Sequence, residues 1–406
     1  MTSNINQVEM ASRLDFATID ATYRGYMDDY LTLKGFDPDS FLVPLPSADE
    51  MYFKALLPNY EGDHGIAAFK FVESTMRLHD AYRQIVDQVF GGYDKLNTVL
   101  DFASGYGRLT RALVQKLPAE RIHVADIYSQ AIAWQVDTLG VKGIVSVPDP
   151  AQLDHHGRHD IVFVGSLFSH LPAGLFHRWL ARLYELVAPG GVLAFSVHDE
   201  TFLPGGEAMD DSGLRYFRTS ESGSLDHDIY GMSYVTEAFV GEAISRLGPG
   251  AGPSWRRFHK GLYENQDLYV VGGAGRDVSA LDVASSPMGG FETMALLTNG
   301  DLDCAGWVQE RSPGRQIKAV TANVDGQRWG EAQIGGERPD VATHFPHAAN
   351  LARDWRLRLP RSVGAPGAVI RLDFESDSGL VTHAYGTIPT NPAITYSGWS
   401  RRALRG

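Results

Sequence analysis

Apolar and polar positions change their spacing twice along this chain. Up to about Gly92 apolar residues recur at helical intervals, most clearly over 69–89, where Phe69, Val72, Met76, Leu78, Tyr82, Ile85 and Val89 alternate with charged residues. Residues 23–60 are aromatic-rich and broken by Pro38, Pro44, Pro46 and Pro58, which predicts helix mixed with loop. From Asn97 short apolar runs at 99–100, 122–124, 143–147, 161–164, 192–197 and 268–271 alternate with amphipathic segments at 109–117, 130–139, 175–187 and 236–247. Strand following helix in this way predicts a parallel sheet covered on both faces. Two last runs, 255–259 and 266–271, flank a short Gly-containing stretch and predict an antiparallel hairpin at the sheet edge.

Beyond Gly272-Gly273-Ala274-Gly275 the helical period disappears. Small residues as far as Gly290 have a linker composition. Short strands are expected at 294–297, 317–324, 329–334, 369–374 and 380–385, with Asp325-Gly326 and Asp377-Ser378-Gly379 as hairpin turns. The boundaries are thus a helical cap over 1–92, an α/β domain over 93–273, a linker over 274–289, a β-sandwich over 290–390 and a tail over 391–406.

Composition narrows the class of protein. A 406-residue chain with 44% hydrophobic and 21% charged residues builds a sizeable core and is not disordered. No run reaches the ~18 apolar residues of a membrane span, and the first residues lack a signal-peptide pattern, so a cytoplasmic protein is expected. Cys304 is the single cysteine, which excludes an internal disulfide and a cysteine-based zinc site. The net charge of −13 is carried wholly by residues 1–273, with 35 acids against 22 bases, while residues 274–406 hold 14 of each. Such an acidic domain lacks the cations that bind a polyanion, so nucleic acid is not an expected partner.

The most specific stretch is Thr98-Val99-Leu100-Asp101-Phe102-Ala103-Ser104-Gly105-Tyr106-Gly107-Arg108-Leu109-Thr110. A strand ends on an acid, a Gly-rich turn follows, and a helix begins, which brings bare backbone and free N–H groups to a ligand. Asp126 ends the next strand, 19 residues after Gly107, where a ribose diol is gripped in a nucleotide-binding βαβ unit. A dinucleotide fits poorly: Thr110 holds the place of the third Gly, and Asp101 would repel a pyrophosphate. Asp101 would welcome an ammonium group instead. An amino-acid end at Asp101 and a ribose at Asp126 together point to S-adenosylmethionine.

These residues resemble the class I S-adenosylmethionine-dependent methyltransferases. Residues 99–107 are similar to that family's first motif, with Ala103 where the family usually has Gly, and Ala125-Asp126-Ile127 to its ribose-binding acid. The stretch from Asp160 to Pro172 resembles its strand-four motif, and Leu186-Val187-Ala188-Pro189-Gly190-Gly191 the entry to strand five. The resemblance covers about 97–271. It implies a Rossmann-like, seven-stranded mixed sheet and transfer of a methyl group to a nucleophile. The cofactor contacts it implies are Asp101, Ala103, Ser104, Gly105, Gly107, Asp126 and Ile127, with Ser166 and Leu167 bordering the methyl.

Acceptor chemistry is less legible. His170 and His198 follow strands four and five, at the crevice end of the sheet, and either could take a proton near neutral pH. His198 is favoured, since Asp199 or Glu200 could orient it. Tyr23, Tyr26, Tyr230 and Tyr234 are the candidate acceptor contacts. No metal is expected: Gly165, Ser166 and Leu167 offer no carboxylate, and His155-His156-Gly157-Arg158-His159 reads as a solvated polar turn. The reaction is read as methylation of a hydroxyl or amine on a small molecule or sugar-containing metabolite. The alternative is a catalytically silent carbohydrate-binding or scaffold protein. Residues 290–389, with Asp325-Gly326, Arg338-Pro339-Asp340-Val341 and Phe345-Pro346, resemble β-sandwich modules beside bacterial glycan-modifying enzymes. Arg338 and Asp340 are expected to fix a turn by pairing, and a homo-oligomer is left open.

Overall fold

The computed structural model describes residues 13–390 except 221, 223–224, 249, 251, 264, 343 and 346–349, together with the backbone of 396–397. Pro346 and most of the expected tail therefore lie outside the described residues. The chain divides into two compact units, Met1–Val283 and Ala284–Gly406.

In the first unit the helical period near the start becomes α1 (Ala21–Leu33) and α2 (His64–Phe90). Asp63 caps α2 by accepting from the Ile66 N–H, and Gly91 ends it in the left-handed conformation. The alternating segments then give β1 (Val99–Phe102), β2 (Ile122–Asp126), α3 (Ser129–Leu139), β3 (Lys142–Val145), β4 (His159–Val164), α4 (Ala173–Glu185) and β5 (Val187–Asp199). After them come β6 (Leu214–Phe217), β7 (Met232–Val235), α5 (Glu237–Ser245), β8 (Trp255–Tyr263) and β9 (Gln266–Gly272).

The sheet path runs β8-β9-β5-β4-β1-β2-β3, with β1 to β5 parallel and β9 antiparallel to β5. Seven strands were expected; among the described residues the sheet holds nine, seven on this path and two off it. The segment after β5 contributes β6 and β7, and β7 pairs in parallel with the end of β5, setting Tyr234 against His198. The expected helical cap also needs correction. Leu78, Ala81, Tyr82, Ile85 and Val86 of α2 sit in one cluster with Val99, Val124, Ile161 and Val192 of the sheet, so this half of α2 is a layer of the fold. Each such buried side chain contributes about 1.5–3 kcal/mol relative to exposure. The opposite face packs Phe176, Trp179 and Leu180 of α4 and Val240 and Ile244 of α5 on Leu100, Val162 and Phe195. Residues expected to begin the linker also belong here, since Val278, Leu281 and Val283 are buried in the α2 cluster.

In the second unit β10 (Met288–Leu296), β11 (Leu302–Gln309), β14 (Gln333–Glu337) and β15 (Arg353–Leu359) lie in one antiparallel sheet in the order β14-β15-β11-β10, with the short strand Tyr396–Ser397 paired to the outer side of β10. Another holds β12 (Ile317–Val324), β13 (Gln327–Glu331), β16 (Val369–Ser376) and β17 (Val381–Thr387) in the order β13-β12-β16-β17. Met294, Leu302, Cys304 and Trp355 from the first sheet share a cluster with Val320, Ala322, Ile370 and Phe374 from the second. The single strand expected at 329–334 is two strands in different sheets, and the chain crosses between them at Ala332, whose N–H donates to Val320 O. Asp325 and Gly326, at φ 48° and 76°, make the expected two-residue turn. Arg338 pairs with Asp340 as expected, and also forks onto Glu292.

Candidate active site

The parallel strands leave their carboxyl ends on one side of the sheet, and a cavity of about 620 Å³ opens there. After β1 the chain turns sharply, with Ala103, Gly105 and Gly107 all left-handed at φ 58°, 53° and 72°. The turn is braced from the next strand. Asp126 accepts from the Gly105 N–H at 2.8 Å and the Tyr128 N–H at 2.9 Å, and Gln135 of α3 donates to Ser104 Oγ and Gly105 O, both at 2.8 Å. Gly107 lies away from the cavity. A Cβ there would stand 2.7 Å from Gln135 Oε1, so this glycine serves close packing of turn on helix.

Asp101 is 4% exposed and takes one hydrogen bond, from Thr110 Oγ1 at 2.9 Å. Among the described residues no cation pairs with it. Burial, aided by the nearby Asp126, pushes its carboxyl up to about 7 against the pull of Thr110. Burial likewise raises Asp126 above the usual carboxylate range, opposed by its backbone donors. A buried carboxylate facing a cavity with no counter-charge is suited to a cationic ligand group. Ala103, Ser104, Gly105, Ile127, Ser166 and Leu167 line the same cavity with the two acids. Ser166 is left-handed at φ 62°, and its N–H donates to Ser196 Oγ at 2.8 Å while its hydroxyl meets Gln266 at 2.9 Å.

His170, His198, Tyr230 and Tyr234 also line the cavity. His170 stacks on Tyr230 with centroids 4.6 Å apart, and His198 stacks on Tyr234 at 5.6 Å. His170 Nδ1 lies 2.7 Å from Gly231 O, which can only accept, so Nδ1 carries the proton and Nε2 keeps its lone pair. Burial, with the charges of His170 and Lys260, lowers His198 to about 4. The expected orienting acid is engaged elsewhere. Asp199 binds Lys260 Nζ at 2.9 Å and Arg257 at 3.1 Å, and caps Thr201. His198 Nε2 faces Asn265 Nδ2 at 3.4 Å instead.

Tyr23 and Tyr26 do not reach the cavity. Tyr26 is 5% exposed and stands edge-on to Phe69 of α2, and Tyr23 packs over Gly65 and against Tyr26. Both are helix-packing residues. Asp199, His259 and Asp267 bring possible metal-ligand atoms within 4.8 Å of one another, but Lys260 and Arg257 already neutralise the two carboxylates. Gln135, Asn265 and Gln266 are among the cavity or turn residues that were missed. Gln135 carries a usable signal, a polar residue on the buried face of an amphipathic helix. Asn265 and Gln266 sit at the turn beside β5, visible only once the hairpin is paired.

Residues 100–193 match the family model described as a methyltransferase domain. Over 183 residues the chain is 24% identical to a malonyl-[acyl-carrier protein] O-methyltransferase of Prosthecochloris aestuarii, covering 43% of this chain and 65% of that protein's length. Among solved structures, a sugar N-methyltransferase of a Streptoalloteichus species is 15% identical, with 50% of this chain and 87% of that one covered at a TM-score of 0.37. A 1,6-didemethyltoxoflavin-N1-methyltransferase of Burkholderia thailandensis is 18% identical, with 56% and 90% covered at a TM-score of 0.35. The family match supports S-adenosylmethionine as the cofactor. Among the described residues no helix is long and apolar enough to cross a membrane.

Proposed function

We propose that this chain is an S-adenosylmethionine-dependent methyltransferase that methylates a hydroxyl or amine of a small molecule or sugar-containing metabolite, with no metal at the reacting centre. The observation that carries it is that Asp101 and Asp126, beside the glycine turn, line one cavity together with Ser166, Leu167 and two stacked histidine–tyrosine pairs. Asp101 takes the cofactor's ammonium, and the outward lone pairs of Asp126 take the ribose hydroxyls. When bound, the cofactor supplies an electrophilic methyl on a sulfonium. The protein's part is to hold the acceptor in line and to remove its proton.

We place the base at His170 rather than at His198. A histidine lowered to about 4 is neutral at pH 7 but a weak proton acceptor. His170 has its ring oriented by Gly231, with Nε2 as the accepting nitrogen of the neutral ring. His198 then serves as a neutral wall of the acceptor pocket. Calorimetry with S-adenosylhomocysteine tests the cofactor reading, and no binding by folded protein would sink it. His170→Ala is expected to lower turnover by about 10²–10⁴ with cofactor affinity kept. Equal turnover in His170→Ala and wild type removes His170 from the reaction.

A further inference from the structure

The amino ends of the same strands carry a second cluster. His123 is the second residue of β2 and His159 opens β4, with His155 in the loop before it. His155 Nε2 and His159 Nε2 lie 2.9 Å apart. Ring centroids are separated by 5.2 Å for this pair, 4.7 Å for His123–His159 and 6.0 Å for His123–His155. The expected solvated turn is only half right, since His159 is 1% exposed while His156 stands in solvent. The cluster is separate from the cavity, which opens about 16 Å away at the far end of β4.

We propose that His123, His155 and His159 form a structural site for a transition-metal dication of the zinc, nickel or copper class, tying the 154–158 loop to the base of the sheet. Imidazole is a favoured ligand for these ions. At a tetrahedral ion with metal–nitrogen bonds of about 2.0–2.1 Å, neighbouring ring nitrogens lie about 3.3 Å apart and ring centroids about 5 Å apart. Rotation about Cβ–Cγ exchanges ring nitrogens with carbons and leaves the centroids in place. Centroid spacing is therefore the quantity to compare, and 4.7, 5.2 and 6.0 Å bracket the requirement. The Nε2 pair need part by only about 0.4 Å.

Two further features suit the proposal. The Nδ1 atoms of His123 and His159 are buried with no hydrogen-bond partner among the described residues, so the rings have donor atoms to spare. Gly157 permits the approach, since a Cβ there would stand 2.9 Å from His155 Cε1. Arg182 fixes the loop by donating to the carbonyls of His155 at 2.5 Å and Leu153 at 3.2 Å. The Asp199–His259–Asp267 trio is not equivalent, because the Lys260 ammonium already sits on it.

The test uses the full chain free of any histidine tag, stripped with chelator and titrated with cobalt(II). The expected result is the visible absorption of tetrahedral cobalt, saturating at one equivalent and displaced by zinc. With zinc at a hundredfold excess over Kd, the melting temperature is expected to rise by about 5 °C. His155→Ala, at the half-exposed position, is expected to remove the band while the protein stays folded. His156→Ala and His259→Ala are expected to keep it. No band in wild type, a band that survives His155→Ala, or a band lost in His259→Ala overturns the site.

Discussion

Asp101 makes cofactor binding depend on pH in a direction fixed by its surroundings. In the ligand-free protein its carboxyl stands at about 7, against 3.8 for an ordinary aspartate. That gap of about 3 pH units corresponds to roughly 4 kcal/mol between the neutral and ionised forms. Between pH ~4 and ~7 the folded chain holds a proton that the unfolded chain releases, so stability falls as pH rises through that window and is level above it. A ligand ammonium reverses the preference, because the ionised carboxylate is then the better partner. Binding at pH 6 must first expel the proton from about nine molecules in ten, and at pH 8 from about one in ten. Affinity for S-adenosylhomocysteine is therefore expected to rise about tenfold from pH 6 to pH 8, with roughly half a proton released per ligand at pH 7. Calorimetry in buffers of different ionisation enthalpy reads both quantities. Asp101→Asn should bind more weakly and with a flat profile. A flat wild-type profile, or a slope that persists in Asp101→Asn, refutes the assignment of Asp101 to the ammonium.

Asp126→Ala removes the proposed ribose contacts and the brace on the Gly105 N–H, and is expected to weaken S-adenosylhomocysteine binding at least a hundredfold, at about 1.5–3 kcal/mol per charged hydrogen bond. Binding within threefold of wild type would contradict it. Ala103→Gly relieves a left-handed alanine at φ 58° and is expected to add about 0.5–1 kcal/mol, read as a higher melting temperature. A lower melting temperature would count against that strain. Lys260→Met leaves Asp199 and Asp267 buried together without their ammonium and should cost about 3–5 kcal/mol in denaturant unfolding. Asp267 is held down at about 2, so its own contribution is present above pH ~4 and is lost as pH falls through that window. The Lys260→Met deficit should therefore shrink in acid; a constant deficit would argue against charge as its cause.

The alternation of apolar runs and amphipathic segments carried most of the parallel sheet, because a strand buried on both faces needs a continuous apolar run. It missed β6 and β7, which at four residues each are too short to show a period. In the second unit β15 was missed although Trp355, Leu357 and Leu359 alternate with Asp354, Arg356 and Arg358, since three charged residues outweigh a period of two to the eye. The turn side of the cavity was legible because the backbone does the work there: a glycine turn and two acids near the ends of β1 and β2 have fixed spacing in sequence. The acceptor side was not. The Asp199 carboxylate, next to His198 in sequence, points to Lys260, and Tyr23 and Tyr26 turn inward to α2, because side-chain direction there is set by tertiary partners.

The β5–β7 pairing has a consequence for how such a pocket changes over time. His198 and Tyr234 are fixed by a parallel register, and Tyr230 and Gly231 are fixed by their contacts with His170, while Ser222 and Leu225, which line the same cavity, belong to the loop between β6 and β7 and lie outside these pairings. That loop can lengthen, shorten or change its side chains without moving the stacked pairs. Substrate range can therefore drift by exchange of one surface segment, with the reacting geometry inherited unchanged.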